Sequence, residues 1–309
     1  MRRSRSLLLL ALVPVALVLA GCAPGPAAAD GELRIVASTG VYGDIAATVA
    51  GEHAAVTSLV TSTVQDPHSY ELTARDRLAL ERADLVVFNG GGYDPYVATA
   101  LDAIAGSPRV VEAVEIAGLE GDHDEDHAEE HAGHAHLEGV NEHLWYDLHV
   151  MAEVADGIAD ALAELDPANA EAFAANAEAF GAELEGLEGE VEALAARASG
   201  LGVVVTELVP GYLIAEAGLV DLTPEGFSAA IEEGTDVSPA LLAETLSVVR
   251  EAALVTNNPQ TGGRETAAVL DAADEAGVPV VDFLELLPAG ETYVSWMRGN
   301  IAALAAALP

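Results

Sequence analysis

Residues 168–198, ANAEAFAANAEAFGAELEGLEGEVEALAARA, contain no proline and are dominated by alanine, glutamate and leucine. These residues favour helix at nearly every position. Asp166-Pro167 stands just ahead of them, where proline suits the first turn of a helix. Unbroken, the segment makes ~45 Å of helix at ~1.5 Å rise per residue. Gly181, Gly186 and Gly189 weaken it and permit a bend. A single helix of this length, set between two stretches of alternating strands and helices, is a rigid strut and not a flexible linker.

Upstream of the strut, short β-branched runs alternate with amphipathic stretches. The pattern predicts strands at Leu33–Ser38, Ala55–Val60, Asp84–Phe88 and Val110–Val114. It predicts helices at Tyr42–Ala50, Thr73–Ala83, Pro95–Ala105 and Val150–Glu164, with a turn at Gly90-Gly91-Gly92. Downstream the pattern restarts, with strands at Val203–Thr206, Leu219–Leu222, Ala253–Thr256 and Val278–Phe283. Helices are expected at Gly211–Ala217, from Ser238-Pro239 to Glu251, at Gly263–Ala276 and at Thr292–Ala307. Strands alternating with helices of this length imply βαβ units and a mainly parallel sheet. The expected fold is therefore α/β with two lobes, each a mainly parallel sheet flanked by helices, joined by one long rigid helix. The lobes are placed at 32–167 and 200–309 with the linking helix at 168–199, and a ligand in the cleft between them.

The N-terminus sets the compartment. Arg2, Arg3 and Arg5 precede an apolar run, Leu7–Ala20, that is too short for a comfortable membrane span. The run ends in Leu19-Ala20-Gly21-Cys22, and Cys22 is the one cysteine of the chain. This resembles a bacterial lipoprotein signal, which implies cleavage after residue 21, lipid attachment at Cys22 and a tether over 22–31. The expected location is extracytoplasmic, anchored to the outer face of the cell membrane. A single cysteine also means that no disulfide forms within the chain.

The full chain of 309 residues carries a net charge of −39 and has no lysine; loss of Arg2, Arg3 and Arg5 takes it to −42. Such a surface repels nucleic acid and concentrates cations. A second acidic feature is more specific. His123, His127, His131, His134 and His136 stand among Asp122, Asp124, Glu125, Asp126, Glu129 and Glu130. A run so poor in apolar side chains buries no core and is read as a solvated loop. Its imidazoles and carboxylates are donors that transition metals prefer, so accessory metal handling is expected there.

Ligands of open α/β sheets bind beyond the carboxyl ends of strands. His68 follows the Ala55–Val60 run, and Asn141-Glu142-His143 follows the histidine-rich loop. Glu207 follows Val203–Thr206, and Glu285 follows Val278–Phe283. Two imidazoles and two carboxylates, two from each lobe, suit a closed divalent-metal site. Each residue also has a plainer use: His68 in a turn, His143 in the core beside Trp145, Glu207 and Glu285 at helix N-termini. Asn258-Pro259-Gln260 is expected to turn a loop and, in second place, to line the cleft.

Asp66-Pro67-His68-Ser69-Tyr70-Glu71, then Ala83-Asp84-Leu85-Val86-Val87-Phe88-Asn89-Gly90, resemble the substrate-binding lipoproteins of zinc and manganese ABC transporters. So do Tyr293 to Asn300 and the histidine-rich insertion before His143, so the resemblance covers nearly the whole mature chain. It implies that His68 and His143 are the first two ligands. Glu207 stands where many members carry a third histidine, directly before Leu208-Val209-Pro210-Gly211-Tyr212. Glu285 stands at the C-terminal acidic ligand, with Asp282 as its rival. Two departures stand out: Asn141-Glu142-His143 where many members read Asp-Pro-His, and Glu207 for histidine, which shifts the donors toward oxygen.

The resemblance implies a monomeric, non-enzymatic binding protein that captures zinc, with manganese as the alternative, and delivers it to a membrane permease subunit for import. A zinc hydrolase on an α/β scaffold is the competing reading, but neither His-Glu-x-x-His nor Gly-x-Ser-x-Gly occurs. A third is a metal-storage or adhesion lipoprotein working through the histidine loop alone.

Overall fold

The computed structural model describes residues 32–63, 65, 67–119 and 141–309. Cys22, Asp66 and the histidine-rich loop lie outside the described residues. The first lobe runs β1 (Leu33–Thr39), α1 (Gly40–Ala50), β2 (Ala54–Val60), α2 (Ala74–Glu81), β3 (Leu85–Phe88), α3 (Pro95–Ala103), β4 (Arg109–Glu112) and α4 (Ala113–Ile116). Then α5 (Leu148–Leu165) and α6 (Ala170–Ala198) form an antiparallel pair. The second lobe runs β5 (Gly202–Val205), α7 (Gly211–Glu216), β6 (Val220–Asp221), α8 (Phe227–Glu232), α9 (Pro239–Val248), β7 (Leu254–Asn257), α10 (Arg264–Ala276), β8 (Val280–Asp282) and α11 (Tyr293–Ala307).

Both sheets are parallel and share one topology. The first is ordered β2-β1-β3-β4 and the second β6-β5-β7-β8. In each, the chain steps to one side of the founding strand and then crosses to the other. The crevice at that reversal lies between β1 and β3 in the first lobe, and between β5 and β7 in the second. The inner strands are continuous apolar runs because helices cover both faces; all four residues of β3 are buried.

Helix α6 is unbroken over 29 residues. Its buried positions are Phe173, Ala177, Phe180, Leu184, Leu187, Val191, Leu194 and Ala198. They alternate four- and three-residue steps, the seam of a heptad helix packed along its whole length. Gly186 and Gly189 fall on the exposed side, where no atom lies near the position of an added Cβ. No bend forms at them, since the packed seam on the other face holds the axis. Helix α11 returns from the second lobe to pack on α6 and α1, and one buried apolar cluster runs from Ile35 in β1 to Leu304 in α11. Among the described residues, no helix is long and apolar enough to cross a membrane.

Several expected boundaries shorten, as where β8 keeps only Val280–Asp282 of Val278–Phe283 and α9 ends at Val248 instead of Glu251, and two differences change an element's kind. The strand expected over Val110–Val114 stops at Glu112, and Ala113–Ile116 turns into a short helix. Helix α8 was not expected; a six-residue segment is too short for helical periodicity to stand out.

Candidate metal centre

The first lobe supplies the imidazoles. Asn89 follows β3, and its Nδ2 donates to the Glu142 carbonyl at 2.9 Å, anchoring the segment that carries His143. Asn89 is itself held by its backbone N–H to Asp94 Oδ2 at 2.8 Å and by a hydrogen bond from the Tyr42 hydroxyl. The glycines of the Gly90-Gly91-Gly92 turn have φ of 80°, 66° and 100°, a path that side chains disfavour. The turn brings Tyr93 back against both histidines. The His68 and Tyr93 rings meet edge to face at 4.9 Å, and His143 meets Trp145 in the same way at 5.2 Å.

The His143 imidazole is oriented through Nδ1. Asn141 Nδ2 donates to the Leu208 carbonyl at 2.9 Å, so Asn141 Oδ1 faces His143 and lies 2.7 Å from its Nδ1. An acceptor there places the ring proton on Nδ1 and gives the ligating role to Nε2. His68 lies between two carboxylates, with Nδ1 3.1 Å from Glu142 Oε1 and Nε2 3.5 Å from Glu285 Oε2. His143 Nε2 lies 3.9 Å from Glu232 Oε1.

The second lobe supplies carboxylates from two strand ends and one helix, and an amide from a third strand end. Glu207 follows β5, Asn258 follows β7, and Glu285 follows β8. The Asn258 amide bridges the two acids: Nδ2 donates to Glu207 Oε2 at 2.7 Å and to Glu285 Oε1 at 2.6 Å. The Thr261 hydroxyl also donates to Glu207 Oε2. Gln260 joins the lobes, accepting the Glu285 backbone N–H at 2.8 Å and donating through Nε2 to the Thr63 carbonyl at 2.9 Å. The tripeptide Asn258-Pro259-Gln260, for which loop turning is the first expectation and cleft lining the second, hydrogen-bonds both Glu207 and Glu285.

Buried negative charge dominates this pocket. Burial, and then the charge of Glu285, push the Glu207 carboxyl up to about 7, against the pull of its hydrogen bonds from Thr261 and Asn258. Glu232 is raised to about 8, by burial first and then by the carboxylates of Glu142 and Glu207. Burial also pushes Glu285 upward, but the close approach of the His68 imidazole, the field of His143 and the hydrogen bond from Asn258 outweigh burial and hold it below its ordinary value. Glu207 and Glu285 are each 2% exposed, and Glu207 Oε1 and Glu285 Oε2 accept no hydrogen bond among the described residues. Several acids crowded around two oriented imidazoles suit a divalent cation, which would neutralise them and occupy the unpaired oxygens.

His68, His143, Glu207 and Glu285 thus lie in one buried pocket between the lobes. Among the described residues, the donor atoms that converge within 4.8 Å of one another are those of His68, Glu142, His143 and Glu232; Glu207 and Glu285 lie outside that group. Sequence reading named Glu142 only as a neighbour of His143 and missed Glu232 entirely. Glu232 ends α8, the helix that escaped sequence reading, so the side chain and its element were overlooked together. Glu142 carried a signal, since an acid beside a ligating histidine is a common orienting partner. Asp282 is exposed and accepts a hydrogen bond from Asn257 at 2.7 Å, away from the centre.

Comparison with known proteins bears on the fold and the family. The periplasmic zinc binding protein TroA from Treponema pallidum superposes with a TM-score of 0.71 at 21% identity, over 90% of this chain and 99% of that one. The laminin binding protein Lmb of Streptococcus agalactiae gives 0.70 at 23%, over 90% and 100%. At such identities the likeness establishes the fold. Among sequence relatives, the manganese-binding lipoprotein MntA of Halalkalibacterium halodurans is 30% identical over 162 residues, 52% of this chain and 49% of that protein. The zinc-binding lipoprotein AdcA of Streptococcus pneumoniae is 27% identical over 287 residues, 89% of this chain and 56% of that protein. The chain therefore spans about half the length of these relatives. The model of the zinc-uptake complex component A periplasmic proteins, ZnuA, matches residues 35–307, and with nearly the whole chain covered, this protein belongs to that family.

Proposed function

We propose that the protein is the extracytoplasmic binding component of an ABC transporter, capturing zinc, or in second place manganese, and passing it to a membrane permease for import. Its task is binding and release, without a chemical step on the cargo. The observation that carries this reading is the buried pocket where two imidazoles from one lobe, His143 anchored through Nδ1 and His68 set between Glu142 and Glu285, face two amide-bridged carboxylates from the other. The ligands assigned are His68, His143, Glu207 and Glu285. Glu142 flanks His68, and Glu232, whose carboxyl burial and neighbouring acids raise to about 8, flanks His143. The names of MntA and AdcA support a manganese or zinc cargo.

The same reading assigns residues 1–21 to a lipoprotein signal, Cys22 to lipid attachment, and 22–31 to a tether ahead of lobes at 32–167 and 200–309. The protein works as a monomer. His123, His127, His131, His134 and His136 serve as an accessory collector that holds ions weakly and raises their concentration near the cleft. The test is titration of metal-stripped protein with zinc by calorimetry, in wild type, in His68→Ala and in a variant lacking residues 122–136. One tight site, lost in His68→Ala and kept in the deletion, supports the reading. A tight site that survives His68→Ala, or vanishes with the loop, refutes the ligand assignment.

A further inference from the structure

Asn258 and Thr261 between them hydrogen-bond one oxygen of Glu207 and one of Glu285. Asn258 is buried, at 2% exposed. Its Oδ1 accepts the Gln260 backbone N–H at 3.0 Å, a group that only donates. That bond fixes the orientation of the side-chain amide, so both N–H groups of Nδ2 must face the acids. One is taken by Glu207 Oε2 and the other by Glu285 Oε1. Thr261 adds a second donor to the same Glu207 oxygen. The oxygens left without a hydrogen bond are Glu207 Oε1 and Glu285 Oε2, one per carboxylate. Glu285 Oε2 is the oxygen that faces His68 Nε2 at 3.5 Å.

From this geometry we infer that Asn258 and Thr261 are selectivity-determining positioning residues, which confine Glu207 and Glu285 to one ligating oxygen each and so favour zinc over manganese. The inference rests on the proposed ligand set. One atom from each of His68, His143, Glu207 and Glu285 makes four donors, the tetrahedral set that zinc prefers. Manganese prefers about six donors, with oxygen prominent among them. Four ligand side chains reach that number when both carboxylates chelate through both oxygens. Chelation requires Glu207 Oε2 and Glu285 Oε1, the two atoms held by the shared amide and the threonine hydroxyl. Glu207 Oε2 accepts from both Asn258 and Thr261, so both its lone pairs are engaged and chelation by manganese there must give up a buried hydrogen bond; Glu285 Oε1 accepts one bond, which restrains it without filling it, and zinc leaves all three intact. Gln260 reinforces the arrangement by holding the Glu285 backbone in register with the Thr63 carbonyl of the other lobe.

The test compares the full chain with Asn258→Ala, Thr261→Val and Thr261→Ser, each stripped of metal and loaded below one equivalent so that the tight site fills first. The measurements are the zinc-to-manganese affinity ratio by competition, and the visible absorption of bound cobalt, which is strong for four-coordinate and weak for six-coordinate ions. The expected result is a ratio that falls on the order of tenfold in Asn258→Ala and in Thr261→Val, the scale of losing a residue that orients a ligand. The cobalt band should be strong in wild type, weaken in both of those variants, and stay strong in Thr261→Ser, which keeps the hydroxyl. Thr261→Val leaves the amide bridge in place, so it carries the test if Asn258→Ala folds poorly. An unchanged ratio and cobalt spectrum in variants that still bind zinc would overturn the inference, as would a weak six-coordinate cobalt band in wild type. Failure of the underlying ligand set looks different: tight zinc binding absent from wild type, or indifferent to His68→Ala.

Discussion

Replacing Glu207 by glutamine should stabilise the metal-free protein while weakening its grip on zinc. In the metal-free state, burial and the neighbouring acids raise the Glu207 carboxyl from an ordinary 4.5 to about 7. A carboxyl raised on folding contributes its full stability below its unfolded value, and loses it as pH climbs through the folded one. A shift of that size corresponds to about 3 kcal/mol lost by pH 8, and less than about 1 kcal/mol by pH 5. Glutamine carries no charge to bury. Its oxygen can replace Glu207 Oε2 as acceptor for Asn258 and Thr261, and its amide then points among the remaining acids. Allowing for imperfect pairing of that amide, the gain near pH 8 should be about 1–3 kcal/mol. For a chain of this size each kcal/mol moves the melting point by roughly 2–4 °C. The assay is thermal unfolding in chelator near pH 5 and pH 8, followed by zinc titration. The variant should melt higher than wild type near pH 8, match it closely near pH 5, and show a smaller zinc-induced rise. A gain of equal size at both pH values, or none near pH 8, would refute the view that Glu207 is held there as a strained anion awaiting a cation.

Gly186→Ala and Gly189→Ala should each raise stability by about 0.5–1 kcal/mol, since both sites are exposed helix interior with room for a methyl group; denaturant melts check this, and destabilisation would show that the helix needs those glycines. Asp282→Asn should leave zinc affinity within about twofold of wild type, whereas Glu285→Gln should lower it on the order of 10–100-fold, measured by competition with a chromogenic chelator. Zinc affinity should fall as pH drops through about 6.5, because protons compete for the imidazoles of His68 and His143; calorimetry across that range would expose a flat profile, which an all-oxygen site would give.

The architecture was legible because its signals are local. The β-branched runs of β1, β3, β5 and β7, each followed by an amphipathic stretch, announce parallel strands with crossover helices. The proline-free segment from Ala168 to Ala198 announces its own stiffness through composition alone. The candidate ligands were legible for a related reason: in this topology function gathers at the carboxyl ends of strands, so His68, Glu207 and Glu285 are found by looking just past β2, β5 and β8. Chain order says nothing, however, about distances across a cleft. Only the packing of α5, α6 and α11 into one core brings His68 within 3.5 Å of Glu285, two residues separated by most of the chain. The same packing sets Asn258 between two acids and turns an apparent loop tripeptide into the brace of the centre. It brings Glu232, at the end of a helix too short to leave a periodic trace, to within 3.9 Å of His143. The sequence by itself determined which segments become strands, helices and strut, because those follow from neighbours a few residues apart. Which carboxylates share one dry pocket, and which of their oxygens are already hydrogen-bonded, was decided by the tertiary structure, because burial and charge crowding arise only when distant segments exclude water together.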